Sequence, residues 1–177
     1  QLELLKNVPN IYIVVGYKDD EVINFASKIR NDLIFVRNTN YLQTNTFYSL
    51  FLAYNLIKEP FLAFDGDTVM NKENYDFFIQ SCAKEKFKKS IIGITEVKSD
   101  QPVYSKIKGD EIVSFSRIEK EEYEFSGPYY IVDELIRDEK IYIFEYLKTK
   151  LPLKYSKVEI YEIDTEIDYQ ITIRNFK

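Results

Sequence analysis

In FLAFDGDTVM (61–70) an apolar run ends in two acids one position apart, Asp65 and Asp67, which bracket Gly66. At the carboxyl end of a buried strand, two carboxylates suit a hard divalent cation that keeps part of its water shell. The same residues also make an ordinary Asp-Gly turn, and the local sequence leaves both readings open. A second apolar stretch ends in acids: EIYEID (159–164) sets Glu162 and Asp164 on one face by the two-residue period of a strand. Asp164 is thus a candidate metal ligand arriving from a different strand. The alternative is that Asp164 or Thr165 caps a last helix, since Thr165 and Asp168 have the spacing of a capping box. A third candidate is the polar loop NTNYLQTNTFYSL (38–50). Asn45 or Thr46 can cap the helix that follows. The loop's hydroxyls and amides, Thr44 and Asn45 among them, can instead meet an anion or a base edge at that helix start.

Composition removes other chemistries. The chain has no histidine, hence no imidazole base, no Ser-His-Asp triad and no histidine-bound zinc. A metal must be held by oxygen, which selects magnesium, manganese or calcium. Cys82 is the one cysteine, so no intrachain disulfide forms. The net charge of −5 opposes broad binding of nucleic acid, and the basic run KEKFKKS (84–90) reads as the solvated end of a helix. No apolar run approaches the roughly 18 residues that cross a bilayer. The expectation is a cytoplasmic protein with neither nucleic acid nor membrane as partner. Fifteen tyrosines and 13 phenylalanines without tryptophan read as core packing rather than as a cage for a cation.

These candidates need elements to position them. IYIVVG (11–16) reads as a strand buried on both faces. KDDEVINFASKIR (18–30) reads as a helix with Val22, Phe25, Ala26 and Ile29 at helical spacing. LIFVRN (33–38) is a second strand, and TFYSLFLAYNLIKE (46–59) a helix closed by Pro60. FLAF (61–64) is a third strand, followed by a helix over 72–85. The alternation predicts βαβ units. Strands follow at 90–97 and in a hairpin over 103–118 that turns on Gly109 and Asp110. A helix is expected over 133–150, a strand over 157–164 and a short helix from Thr165. The expected fold is α/β: a Rossmann-like, mainly parallel sheet flanked by helices, with an antiparallel hairpin excursion in the second half, all in a single domain over 1–177.

In this order, IYIVVGYKDDEV, TNTFYSLFLA, FLAFDGDTVM, SFSRIEKE, GPYYIV and IYEIDTEIDY resemble the sugar-nucleotide and choline-phosphate nucleotidyltransferases, over nearly the whole chain. The TNT-YSL element looks most like the choline-phosphate cytidylyltransferase branch. The resemblance implies transfer of a nucleotidyl group, possibly CMP, from a nucleoside triphosphate to a phosphorylated sugar or alcohol such as phosphocholine, releasing pyrophosphate. It implies a magnesium ion on Asp67 and Asp164 with Asp65 nearby, and substrate contacts from Asn45 and Thr44. Lys120 matches the family's phosphate-contacting lysine, with Glu121 where the family has proline. The family's first strand and glycine-rich triphosphate loop would precede residue 1. With Gln1 first and Met70 the only methionine, a longer gene product is expected. Two further readings stand beside this one: a nucleotide-sugar glycosyltransferase using Asp65-Gly66-Asp67 as its Asp-x-Asp motif, and a catalytically silent remnant that binds nucleotide or a partner.

Overall fold

A computed structural model describes residues 1–176. The chain forms two compact units, each built from two separate stretches: residues 1–59 with 134–146, and residues 60–133 with the chain from 147 onward.

In the first unit β1 (Tyr12–Val15) and β2 (Ile34–Arg37) pair in parallel, from Tyr12 opposite Ile34 to Val15 opposite Arg37. The connecting helix α1 (Asp19–Ile29) opens with Asp19, Asp20 and Glu21 and has Lys28 in its last turn, the charge order that complements a helix dipole. Its stripe is only partly used: Ala26 is buried, whereas Val22, Phe25 and Ile29 are exposed. Likewise only Val15 of β1 is buried, because β2 is its one strand neighbour among the described residues. The helix α2 (Thr46–Ile57) ends where Lys58 enters the left-handed region, two residues before Pro60. Phe47 at its start is fully buried and stacks on Tyr146 at 4.8 Å between ring centres.

The second unit carries a six-stranded sheet. Its elements in chain order are β3 (Phe61–Ala63), β4 (Thr68–Val69), α3 (Lys72–Lys84), β5 (Ile91–Glu96), β6 (Tyr104–Lys108), β7 (Glu111–Ser116) and β8 (Tyr123–Ile131). Then come α4 (Ile143–Lys148), which begins among the first unit's residues, β9 (Leu153–Lys157), β10 (Tyr161–Glu162) and α5 (Glu166–Asn175). The order across the sheet is β3-β8-β5-β9-β7-β6. β3, β5, β9 and β6 run one way and β8 and β7 the other. β8 thus enters antiparallel between two strands that the sequence order suggests are neighbours, and β5 with β9 is the sheet's parallel pair. The first five residues of β5 are all buried, as expected of a central strand. Phe78 and Cys82 of α3, Ile112 of β7 and Tyr129 of β8 are buried in the same unit.

The hairpin β6–β7 turns on Gly109 and Asp110 as expected, with Gly109 at φ 64°, a conformation glycine takes without strain. The helix expected over 133–150 is confined to Ile143–Lys148. The Asp138 carboxylate accepts from the Lys140 backbone N–H, a local bond that competes with helix formation. The carbonyls of Glu139 and Lys140 accept from Asn45.

The tightest backbone approach lies at Gly93 in β5, where the ladder to β8 shifts register. A Cβ there would overlap the Gly127 carbonyl and lie 2.7 Å from that of Pro128. At Gly66, between the two acids, a Cβ meets nothing, so the turn owes nothing to glycine there. Gly93→Ala should therefore lower unfolding stability by about 2 kcal/mol or more, while Gly66→Ala should stay within about 0.5 kcal/mol. Urea midpoints at constant slope measure both, and equal losses would contradict the packing described.

Candidate functional site

The Asp65–Asp67 turn is held from inside. Thr68 is buried, and its hydroxyl donates to the Asp65 carbonyl at 2.9 Å. The Asp65 carboxylate turns inward and accepts from the Tyr129 hydroxyl at 3.0 Å. Burial pushes the Asp65 pKa up to about 6, the Tyr129 bond pulls it down, and the charge of Asp67 raises it. Tyr129, buried beside these acids, is pushed well above the usual phenol range.

Asp67 is tied to a second strand pairing. The two-residue strand β4 pairs antiparallel with β10, Thr68 opposite Glu162 and Val69 opposite Tyr161. One step further on, the Ile163 N–H donates to the Asp67 carbonyl at 2.9 Å. That bond places Asp67 against the end of β10, and the strand period puts Glu162 and Asp164 on its face. Carboxylate oxygens of Asp67, Glu162 and Asp164 lie within 4.8 Å of one another. The three residues reach solvent, yet the surrounding protein strips enough water from two of them to shift their titration. Asp67 is raised by burial and by the charge of Asp164. Glu162 is raised to about 7, first by burial and then by the charges of Asp164 and Asp67.

The alternative role of Asp164 as a helix cap goes to its neighbour. Thr165 caps α5, accepting from the Asp168 N–H while the Asp168 carboxylate accepts from the Thr165 N–H. Asp164 is left facing Asp67. Glu162 completes the cluster without having been singled out as a ligand; its signal was the alternation in YEID. Asp65, a candidate ligand, accepts from Tyr129 through one carboxylate oxygen, and the place of Tyr129 in GPYYIV carried no hint of that contact.

The remaining candidates lie elsewhere. Thr44 and Asn45 belong to the first unit. The Thr44 hydroxyl donates to the Asn40 carbonyl and accepts from the buried Asn38 side chain. Asn45 stands at the N-cap position of α2 but makes no side-chain cap bond, and its amide donates to the Lys140 carbonyl. Lys120 is exposed in the loop between β7 and β8.

The three clustered carboxylates fit a hard cation: all donors are oxygen, they converge from the ends of two paired strands, and a bound cation would offset the burial and the like charges that raise Glu162 to about 7. This yields a signed prediction. The folded state holds protons on Asp65 and Glu162 up to about 6 and about 7, against ordinary values of 3.8 and 4.5. Stability from these groups is complete below those ordinary values and is lost as pH rises through the folded ones. With chelator present, Tm should fall from pH 5 to pH 8. Added magnesium should raise it at pH 8 and leave it unchanged at pH 5. Asp67→Asn should remove the magnesium response, as thermal melts at both pH values will show.

No family model and no curated protein matches the chain. Solved structures do. The CTP:phosphocholine cytidylyltransferase from Streptococcus pneumoniae superposes with a TM-score of 0.76 at 20% identity, covering 100% of this chain and 83% of that one. The inositol-1-phosphate CTP transferase from T. maritima gives 0.71 at 18%, covering 94% and 75%. A UDP-glucose pyrophosphorylase complexed with UDP-glucose gives 0.73 at 15%, covering 99% and 84%. The chain has the fold these nucleotidyltransferases share, as the ordered motifs implied. No helix among the described residues is long and apolar enough to cross a membrane.

Proposed function

We propose that this chain is a nucleotidyltransferase that moves a nucleotidyl group from a nucleoside triphosphate to a phosphorylated sugar or alcohol, releasing pyrophosphate. The two units act as one catalytic domain in this reading. The observation that carries it is the convergence of Asp67, Glu162 and Asp164 at the end of a strand pairing, in a fold shared with such enzymes.

In the reaction an acceptor phosphate oxygen forms a bond to the α-phosphorus. The bond from that phosphorus to the bridging oxygen breaks, and the electron pair leaves with pyrophosphate. Two anions must meet, and a magnesium ion on the three carboxylates would supply the positive charge that makes this approach favourable. The chain's own part is placement. The Thr68 hydroxyl on the Asp65 carbonyl and the Ile163 N–H on the Asp67 carbonyl hold the backbone that carries Asp67, and the Thr165–Asp168 box leaves Asp164 out of the helix cap. Asn45 and Thr44 for substrate, and Lys120 for phosphate, are the further contacts that the resemblance assigns. CTP is the first donor to test, since two of the relatives named above are CTP enzymes.

One observation bears on the glycosyltransferase reading. That reading would use Asp65-Gly66-Asp67 as its Asp-x-Asp motif. Here Asp65 is bonded to Tyr129, and Asp67 finds its acidic companions on β10.

Incubation of the purified protein with magnesium, labelled CTP and a panel of phosphorylated acceptors should release pyrophosphate. Asp67→Asn should lower that turnover by about a thousandfold with an unchanged circular dichroism spectrum. Full activity in this variant would remove the metal assignment, and a nucleoside diphosphate released from a nucleotide sugar would favour the glycosyltransferase instead.

A further inference from the structure

A cavity of about 310 Å³ opens at the carboxyl ends of the parallel pair β5 and β9, with Thr95, Val158 and Tyr123 in its wall and Lys98, Lys157 and Glu159 around it. Two lysines, Lys98 and Lys157, and two carboxylates, Glu96 and Glu159, line it. The Lys157 ammonium donates to the Tyr123 hydroxyl at 2.6 Å and lies 4.0 Å from the centre of that ring. It has no carboxylate within ion-pair distance among the described residues. The Lys98 ammonium lies 4.4 Å from the centre of the Tyr161 ring, and its one carboxylate contact is a loose 3.8 Å to Glu159. Glu159 is also occupied by the Tyr161 hydroxyl at 2.7 Å.

The rim is a built structure. Glu124, 4% exposed, spends its carboxylate on the turn that carries Lys98. It accepts from the Lys98 N–H at 2.7 Å, from the Ser99 N–H at 3.1 Å and from the Ser99 hydroxyl. A buried carboxylate answered by three donors fixes a loop firmly. Tyr161, the ring under Lys98, immediately precedes Glu162 in β10, and the two side chains leave the strand on opposite faces.

We propose that this cavity is the acceptor subsite, and that Lys98 and Lys157 receive the acceptor's phosphate between the rings of Tyr123 and Tyr161. This deepens the nucleotidyltransferase reading and rests on it for the word acceptor. Two ammonium groups with spare donor capacity suit a doubly charged phosphate ester. They also occupy the ring faces that a cationic head group would need, so the cavity favours a sugar phosphate over an acceptor bearing a quaternary ammonium.

Calorimetric titration of the full chain, without metal or nucleotide, tests this. The probes are a hexose 1-phosphate, phosphocholine, inorganic phosphate and the unphosphorylated hexose. The hexose phosphate should bind, with phosphocholine weaker and the neutral hexose silent. Lys98→Met and Lys157→Met should each weaken binding about tenfold. Lys→Arg at either position should restore it, which separates lost charge from lost fold. The control pair Lys86→Met and Lys88→Met should change nothing. Asp67→Asn should lose transfer yet keep hexose phosphate binding. Lysine-dependent binding in a protein without transferase activity would uphold the phosphate subsite and remove the enzyme reading. Binding that survives loss of both lysines, or inorganic phosphate as tight as the ester, would overturn the subsite even in an active enzyme, as would no binding at all.

Discussion

The site depends on a pairing only two residues long. β4 and β10 hold Thr68 opposite Glu162, and the Ile163 N–H reaches the Asp67 carbonyl. So short a ladder does not hold itself in water, and three carboxylates facing one another push it apart. What keeps it closed lies on either side. Thr68 and Met70 are buried behind β4, Ile160 is buried just before β10, and α5 begins just after it with a closed capping box. The repulsion is therefore stored in a rigid frame, which is the condition under which like charges shift one another's titration rather than moving apart.

The unit shows three ways of keeping a carboxylate out of bulk water. Glu124 is answered fully by three donors on one turn. Asp65 receives a phenol hydroxyl, and its pKa still rises. Glu162 is raised to about 7, first by burial and then by the like charges around it. The order runs from structural to chemical. A group whose needs are met inside the protein has little to offer a ligand, while one that is left repelled gains most from a cation.

Much of this was legible in the sequence because strand endings and helix caps are local. The acids at 65 and 67, the acids at 162 and 164, and the Thr165–Asp168 spacing are all short-range patterns; the capped helix is present, whereas the strand expected over 157–164 is split into Leu153–Lys157 and Tyr161–Glu162. What stayed hidden is long-range. No pattern in GPYYIV says that Tyr129 will meet Asp65, 64 residues away. None says that β8 will slip antiparallel between β3 and β5, or that Gly93 rather than Gly66 is the glycine the backbone needs. Periodicity also overstated burial: Val22, Phe25 and Ile29 form the expected stripe on α1 and remain exposed. A period reports which side chains share a face, and a face is buried only if something lies against it.

The separation of elements also bears on how such a site can change its substrate. The acids sit on β4 and β10, whereas the lysines sit on the turn after β5 and at the end of β9. Glu124 anchors that turn from β8 without belonging to the acid cluster. Replacing Lys157 alters the charge of the cavity without removing a contact of the β4–β10 pairing, whereas Lys98 lies on the ring of Tyr161 in that pairing. Tyr161 is both the ring beneath Lys98 and the partner of Val69 in the ladder, so a change there moves rim and acids together. Under the proposed assignment of the cavity, acceptor preference is freest to vary at Lys157 and most constrained at Tyr161.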